Sequence, residues 1–248
     1  MALKHHHGPT CGCVGRRTLL ARAGAVAAAS LLAGPTFVAS ATAQALTKAD
    51  RDAMTPDQVI DLMKRGNERF RSGSPKDRDW LGQQRATAAG QYPKAVLLSC
   101  IDSRAPAEVV MDLGLGEVFN SRIAGNVADV AVLGGLEFAC KLAGAKVVVV
   151  MGHTACGAVA GAIAGAQLGN LTALLSMIAP AVGATAFAGE RSASNPAFVD
   201  AVARTSVGLT IAGIRKSSPV LADLEQQKAI KIVGAMYDLN SGGVEFLQ

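Results

Sequence analysis

Short apolar runs alternate with helical patterns along most of this 248-residue chain. The runs over 94–99 and 146–151 are mainly aliphatic, which is typical of strands buried on both faces of a parallel sheet. A further strand is predicted over 117–121, with a short helix or turn at 107–113 and a helix at 134–142. This order predicts an α/β fold, in which a mostly parallel central β-sheet is flanked by helices through right-handed crossovers.

An N-terminal helical arm over 44–94 is predicted to precede the α/β domain of residues 95–248. Thr55 followed by Pro56 is a strong helix start, because threonine caps the helix and proline suits its first position. Apolar residues then recur at helical spacing, and a second helix is expected over 80–89.

The second half of the chain continues with helices and ends in a hairpin. A helix is predicted to carry four glycines at four-residue spacing, which suggests close packing against a neighbour: Gly157, Gly161, Gly165 and Gly169. Another helix is predicted over 198–214, and Ser218 opens a short one. Strands over 230–237 and 244–247, joined by a turn, predict an antiparallel hairpin at the sheet edge.

Residues 1–43 have the features of an export signal of the twin-arginine type. Two arginines stand in the segment 15–20, an alanine-rich apolar stretch follows, and residues 41–43 fit a small-residue cleavage site, with 43–45 as a second choice. The alternative is an uncleaved membrane anchor. We expect a periplasmic or secreted protein without stable membrane association after cleavage.

The positive charge of the chain belongs to this leader. The formal net charge is +5, but four of the 24 basic residues and none of the 19 acidic ones lie in residues 1–43. The remaining chain carries 20 basic against 19 acidic residues and is nearly neutral. We therefore expect no nucleic-acid partner, since no basic patch with interleaved aromatic residues is present.

Polar residues that can bind metals follow two of the predicted strands. Cys100 comes directly after the first strand, and His153 and Cys156 come after the third. Carboxyl ends of parallel strands meet where open α/β sheets bind ligands. Thiolate and imidazole are preferred zinc ligands, and a helix amino end at Cys156 favours its thiolate. We therefore predict that these three residues bind one zinc ion.

Composition leaves few other candidates for metal binding. His153 is the only histidine after residue 7. Cys140 lies in a helical pattern and is expected to be a small buried apolar residue. Histidines and cysteines of the leader could bind metal, but we expect them to be removed with the signal.

Asp102 and Arg104 complete a Cys-x-Asp-x-Arg sequence and are predicted to be catalytic. Because side chains alternate along a strand, Asp102 points to the same side as Cys100. A bidentate pair with Arg104 would keep Asp102 ionised and away from the metal, ready to accept a hydrogen bond from zinc-bound hydroxide. If the pair breaks, Asp102 becomes the fourth metal ligand and closes the site. An ordinary surface ion pair beside a purely structural zinc is the simpler alternative.

The chain resembles the β-class carbonic anhydrases over about residues 53–248. The resemblance rests on both metal-binding sequences and on further segments, namely Thr55-Pro56 with Gly66 to Phe70, Arg122 with Ala124 to Asn126, and Ile232 to Leu239. It implies reversible hydration of carbon dioxide to bicarbonate and a proton, by attack of zinc-bound hydroxide, with one Zn²⁺ per subunit.

The resemblance also implies further site residues and partners. Gln91, Phe119 and Gly157 match substrate-binding positions of the family. The family fold is a mostly parallel sheet whose helical arm embraces a second subunit, so a homodimer or homotetramer is expected. On the same scaffold, hydrolysis of carbon disulfide or carbonyl sulfide is an alternative. A non-catalytic zinc-stabilised interaction protein is a further alternative, although such a protein would need neither Asp102 nor Arg104.

Overall fold

A five-stranded sheet forms the centre of the part of the chain that the computed structural model describes, residues 45–247. The predicted export signal lies outside these residues. In chain order the strands are β1 (Ala95–Ser99), β2 (Val118–Arg122), β3 (Val147–His153), β4 (Lys231–Tyr237) and β5 (Val244–Leu247). The order across the sheet is β2-β1-β3-β4-β5, and only β5 is antiparallel to its neighbour. The predicted fold class and the terminal hairpin are confirmed.

Helices cover both faces of this sheet. In the described range they are α1 (Lys48–Ala53), α2 (Pro56–Arg71), α3 (Trp80–Thr87), α4 (Ala107–Val110), α5 (Val130–Glu137), α6 (Gly157–Ile163), α7 (Gly169–Ala184), α8 (Pro196–Ser217) and α9 (Pro219–Gln226). A 3₁₀ turn spans Ala124–Asn126, and α5 continues into a π-helical turn over Phe138–Leu142. Most predicted helices are present within a few residues of their expected bounds.

Alternating side chains on the buried strands build two hydrophobic cores. On one face, Leu98 and Val150 pack in a cluster with residues of α7 and α8. On the other face, Leu97 and Val149 pack with residues of α2. By length and composition α8 could cross a membrane, but its apolar side packs into the first cluster, as the core helix of a globular protein does. Both central strands are therefore buried on both faces.

The prediction of one long glycine-spaced helix after β3 was wrong. The segment forms two helices, because α6 ends at Ile163 and Gly165, with φ +65°, takes a left-handed conformation that stops the helix. Gly169, with φ +44°, begins α7. Close packing holds at Gly161, where an added Cβ would lie 3.3 Å from Leu175 Cδ1.

The N-terminal arm packs on the sheet of its own chain. Thr55 caps α2 and Pro56 is its first residue, as predicted. The buried amide of Asn67 then joins α2 to two distant segments. Its nitrogen donates to the carbonyl oxygens of Val110 and Gly242 at 2.9 and 2.8 Å, and its oxygen accepts from the Val244 N–H at 2.9 Å. The arm is thus fixed to both the α4 region and the terminal hairpin.

A buried carboxylate anchors the connection between α2 and α3. Asp112 accepts from Arg69 Nε at 2.5 Å, from Arg78 Nη1 at 2.8 Å and from the Lys76 N–H at 3.2 Å. Buried charges are stable only when they are paired and hydrogen-bonded, and this one has both kinds of partner. The loop between the two arm helices is therefore held against the end of α4.

We predict that Asn67→Ala lowers the free energy of unfolding by about 2–4 kcal/mol, since it leaves buried backbone groups without partners. Urea denaturation at fixed zinc and protein concentrations measures the change. The control is Arg65→Ala, on the exposed side of α2, with an expected change within about 0.5 kcal/mol. Equal stability of the two variants would refute the anchoring role of Asn67.

Candidate metal centre

The carboxyl ends of β1 and β3 bring the three predicted zinc ligands together. The strands are parallel neighbours, with Ser99 paired to Met151. Cys100 follows β1, His153 is the last residue of β3, and Cys156 is the N-cap of α6. Their donor atoms all lie within 4.8 Å of one another. Ligands of a tetrahedral zinc ion are roughly 3.7 Å apart, so the cluster has the size of such a site.

The surroundings of His153 also fit a metal ion. All three residues are buried. His153 Nδ1 lies 2.9 Å from the Thr154 carbonyl oxygen, which can only accept, so Nδ1 carries the proton. The Nε2 atom is buried without a hydrogen-bond partner among residues 45–247. A buried, unpaired lone pair is costly unless a metal occupies it. Two sulfurs and one imidazole nitrogen are a zinc-type donor set.

The thiols of Cys100 and Cys156 shift the pKa of each other in opposite directions. A hydrogen bond from Cys156, opposed by burial, lowers the pKa of Cys100 to about 4. The same contact raises the pKa of Cys156, and burial adds to this rise. The contact therefore favours the thiolate at Cys100 and the protonated thiol at Cys156. A divalent cation would release the proton of Cys156 as well, because a coordinating thiol is deprotonated outright.

Asp102 is paired with Arg104 at the rim of this cluster. Asp102 Oδ1 accepts from Arg104 Nε at 3.0 Å and from its backbone N–H at 2.9 Å, while Oδ2 accepts from Nη2 at 2.8 Å. The hydrogen bond from the Arg104 guanidinium lowers the pKa of Asp102 to about 2, against the opposing effect of burial. Oδ2 lies 3.8 Å from His153 Nε2. This arrangement is the paired one of the two alternatives, and ligation of the metal by Asp102 stays a prediction.

Gln91 lies far from the cluster of its own chain. It is exposed in the loop before β1, in a surface depression that Thr87 and Leu115 also line. Cys100 follows the other end of β1, whose five residues span about 16 Å. A substrate-binding role for Gln91 therefore requires a site other than that of its own chain.

The other two predicted substrate-binding residues, Gly157 and Phe119, lie at different distances from the metal-binding cluster. Gly157 is the exposed first residue of α6, next to Cys156, and an added Cβ there would meet no described atom within 4 Å. Phe119 pairs with Val96 on β1, four residues before Cys100, and its ring meets that of Phe138 edge to face at 6.0 Å. Gly157 thus borders the cluster, whereas Phe119 lies further along the sheet. Both binding roles stay predictions.

Two polar residues that hold the ligand-bearing segments have no local sequence signal. Arg122 was noted only as part of the family pattern, yet it donates from Nε to the Cys100 carbonyl at 2.9 Å and from Nη2 to the Asp102 carbonyl at 2.6 Å. Asp200 on α8 accepts from the Ala155 N–H at 2.8 Å. It stands in a helical pattern 44 residues after Cys156, so only the folded chain reveals the contact.

This chain has a mostly parallel α/β sheet with a buried cysteine–histidine–cysteine cluster at its strand ends. These features are those of a zinc-binding α/β protein. The family model described as carbonic anhydrase matches residues 95–244. The chain is 37% identical to carbonic anhydrase 2 of Mycobacterium tuberculosis over 186 residues, which cover 73% of this chain and 87% of that protein. It is 34% identical to a carbonic anhydrase of Mycolicibacterium smegmatis, with 74% and 89% covered. The chain belongs to the carbonic anhydrase family.

Solved structures place the fold in the β class. The TM-score is 0.60 with a β-carbonic anhydrase of Aspergillus fumigatus, at 24% identity, covering 77% of this chain and 89% of that one. It is 0.58 with one of two tetrameric β-carbonic anhydrases of Sordaria macrospora, at 23% identity, covering 68% and 91%. The resemblance to the β class inferred from the sequence is confirmed.

We predict that Cys156→Ser weakens zinc binding more than about 100-fold, because a serine hydroxyl is not a thiolate donor. Competition with a chelator, followed by metal analysis, measures the affinity. The control is Cys140→Ala, which removes a buried thiol outside the cluster whose pKa burial raises to about 12, and zinc affinity should stay at the wild-type value. Undiminished affinity in Cys156→Ser would contradict the assignment.

Proposed function

We propose that this chain catalyses the reversible hydration of carbon dioxide to bicarbonate and a proton, with one zinc ion per subunit. The observation that carries the proposal is the combination of three buried donors with an ionised carboxylate held beside them. Cys100, His153 and Cys156 would hold the ion, and Asp102 and Arg104 would serve the reacting water. Family membership supports the same activity.

The residues of the site would have separate roles in the reaction. When bound, zinc acts as a Lewis acid that activates a water molecule for attack on carbon dioxide. The two thiolates would neutralise most of the charge of the ion, so activation of the water would need a further hydrogen-bond acceptor. Asp102 can supply one, because its pKa of about 2 keeps it ionised at neutral pH. Arg104 orients this carboxylate through both of its oxygens.

The alternatives are not favoured. The relatives in the comparisons are carbonic anhydrases, and no contact in the described range favours carbon disulfide or carbonyl sulfide as substrate. A non-catalytic zinc protein would not need the Asp102–Arg104 pair, whose three hydrogen bonds fix the carboxylate beside the cluster.

We predict that Asp102→Asn lowers kcat/KM for carbon dioxide hydration about 100- to 10,000-fold with zinc retained, because it removes the ionised acceptor. Stopped-flow hydration with metal analysis of the same samples separates the two effects. The control Glu245→Gln removes one partner of the Arg204–Glu245 ion pair on the surface and should leave kcat/KM unchanged. Full activity in Asp102→Asn would exclude the proposed role.

We further propose that the enzyme is a homo-oligomer in which Gln91 serves the site of a neighbouring subunit. Two features support this. Gln91 lies at the amino edge of its own sheet, away from its own cluster. Three large apolar residues on α5 and the π-helical turn after it are exposed, Val130 by 86%, Phe138 by 52% and Leu142 by 76%, and a subunit contact would cover them. The Sordaria relatives are tetrameric.

A subunit-mixing experiment tests this arrangement. Gln91→Ala and Cys156→Ser homo-oligomers should each have little hydration activity. In an equimolar mixture after subunit exchange, about one quarter of the sites of a dimer combine an intact cluster with a partner's Gln91. Activity should therefore recover to that fraction. No recovery, despite mixed oligomers captured through two different tags, would show that Gln91 does not act across subunits.

We propose export through the twin-arginine signal of residues 1–43, to the periplasm or the medium. The paired Arg16 and Arg17 and the apolar stretch after them support this. The mature protein from a producing cell should begin at Gln44, which N-terminal sequencing determines. A start at residue 46 would place the cleavage at the second site. An intact leader in the membrane fraction would instead favour the anchor.

A further inference from the structure

A short turn in an unusual conformation joins His153, the last residue of β3, to Cys156, the N-cap of α6. Between His153 and Cys156, Ala155 has φ +52°. An L-residue with a side chain rarely adopts the left-handed region, and alanine is not among the types enriched there. Such a conformation persists where surrounding contacts over-determine it. The turn therefore needs partners to keep both ligand side chains aimed at one point.

Several contacts hold this turn on the sheet side. The Thr154 N–H donates to the Tyr237 carbonyl at 3.0 Å. The Thr154 hydroxyl oxygen accepts from the Leu239 N–H at 3.0 Å. The Thr154 carbonyl in turn accepts from His153 Nδ1. Thr154 is thus fixed to the end of β4, and it sets the orientation of the imidazole.

Asp200 holds the other half of the turn. Its Oδ1 accepts from the Ala155 N–H at 2.8 Å, within the strong range for a carboxylate acceptor. The helix that carries it is firmly placed, because its neighbours Phe198, Val199 and Val202 are buried in the core. Ala155 is exposed, so no packing holds it in place of the hydrogen bond.

From these contacts we propose that Asp200 is a positioning residue of the metal centre. Its carboxylate fixes Ala155 in the left-handed conformation, and this keeps Cys156 and the imidazole of His153 convergent on one ion. Asp200 does not touch the donor atoms, and it acts through the backbone of the ligand turn. The inference rests on the zinc centre of the proposed function. Loss of a residue that hydrogen-bonds a metal-binding segment commonly lowers the metal affinity 10- to 100-fold.

Substitutions that separate the hydrogen bond from the charge test this role. Asp200→Ala removes the acceptor, whereas Asp200→Asn keeps an Oδ1 acceptor without the charge. We expect zinc affinity, measured by chelator competition, to fall about 10- to 100-fold in Asp200→Ala and to return close to the wild-type value in Asp200→Asn. The control Asp223→Ala, an exposed aspartate on α9, should bind zinc as the wild type does.

Cobalt substitution gives a readout that general destabilisation does not move. The visible d–d and thiolate charge-transfer bands of the Co²⁺ protein report ligand geometry. They should shift in Asp200→Ala and match the wild type in Asp200→Asn. If Asp200→Ala does not fold, Asp200→Glu, which displaces the carboxylate by one methylene, should show the shifted bands.

Two results would overturn the proposal. Wild-type zinc affinity and cobalt bands in Asp200→Ala would show that the turn needs no acceptor. Equal defects in Asp200→Ala and Asp200→Asn would show that charge, and not the hydrogen bond, is responsible. Failure of the proposed function is distinguishable, since a wild-type protein with zinc but without hydration activity would overturn that proposal and leave the metal-affinity test intact.

Discussion

The metal centre depends on the parallel pairing of β1 and β3. This pairing brings the residue after one strand beside the last residue of the other, although about fifty residues of chain separate Cys100 from His153. A slip of one residue would turn the side chains of a strand to the opposite face. The buried aliphatic residues of both strands prevent it, because each has a place in one of two cores. The packing of the two cores therefore sets the geometry of the site.

Charge balance explains why such a site can be buried. Two thiolates would neutralise a divalent cation, and the Asp102 carboxylate is neutralised by Arg104. The thiolates would thus balance the ion inside the protein, and the partly exposed Asp102 has a partner of opposite sign at the rim, which offsets part of the desolvation cost. Arg122 adds donors to two backbone carbonyls of the same segment. The Arg122 side chain therefore holds the segment from Cys100 to Arg104 at its first and middle residues.

Most of the fold and the donor set could be predicted because they follow local rules. Aliphatic runs followed by Cys100 and by His153 indicate strand ends, and parallel strands bring such ends together. Glycine spacing was misleading after β3, because glycine permits both helix packing and the left-handed turn that stops a helix, and periodicity does not distinguish them. Asp200 and the placement of Gln91 could not be predicted, since both follow from tertiary contacts between segments distant in the chain. The paired state of Asp102 likewise required the geometry of Arg104.

Because the ligands are far apart along the chain, the metal centre would also affect the stability of the fold. An ion bound by Cys100, His153 and Cys156 would close a loop of about fifty residues that contains β2, α4 and α5. A cross-link of that length restricts the unfolded chain, and a metal that binds only the folded form adds its binding free energy to stability. Binding of the ion would thus act as a reversible cross-link between the ends of two neighbouring strands of the sheet. Chelation should therefore lower the free energy of unfolding of the whole domain as well as empty the site.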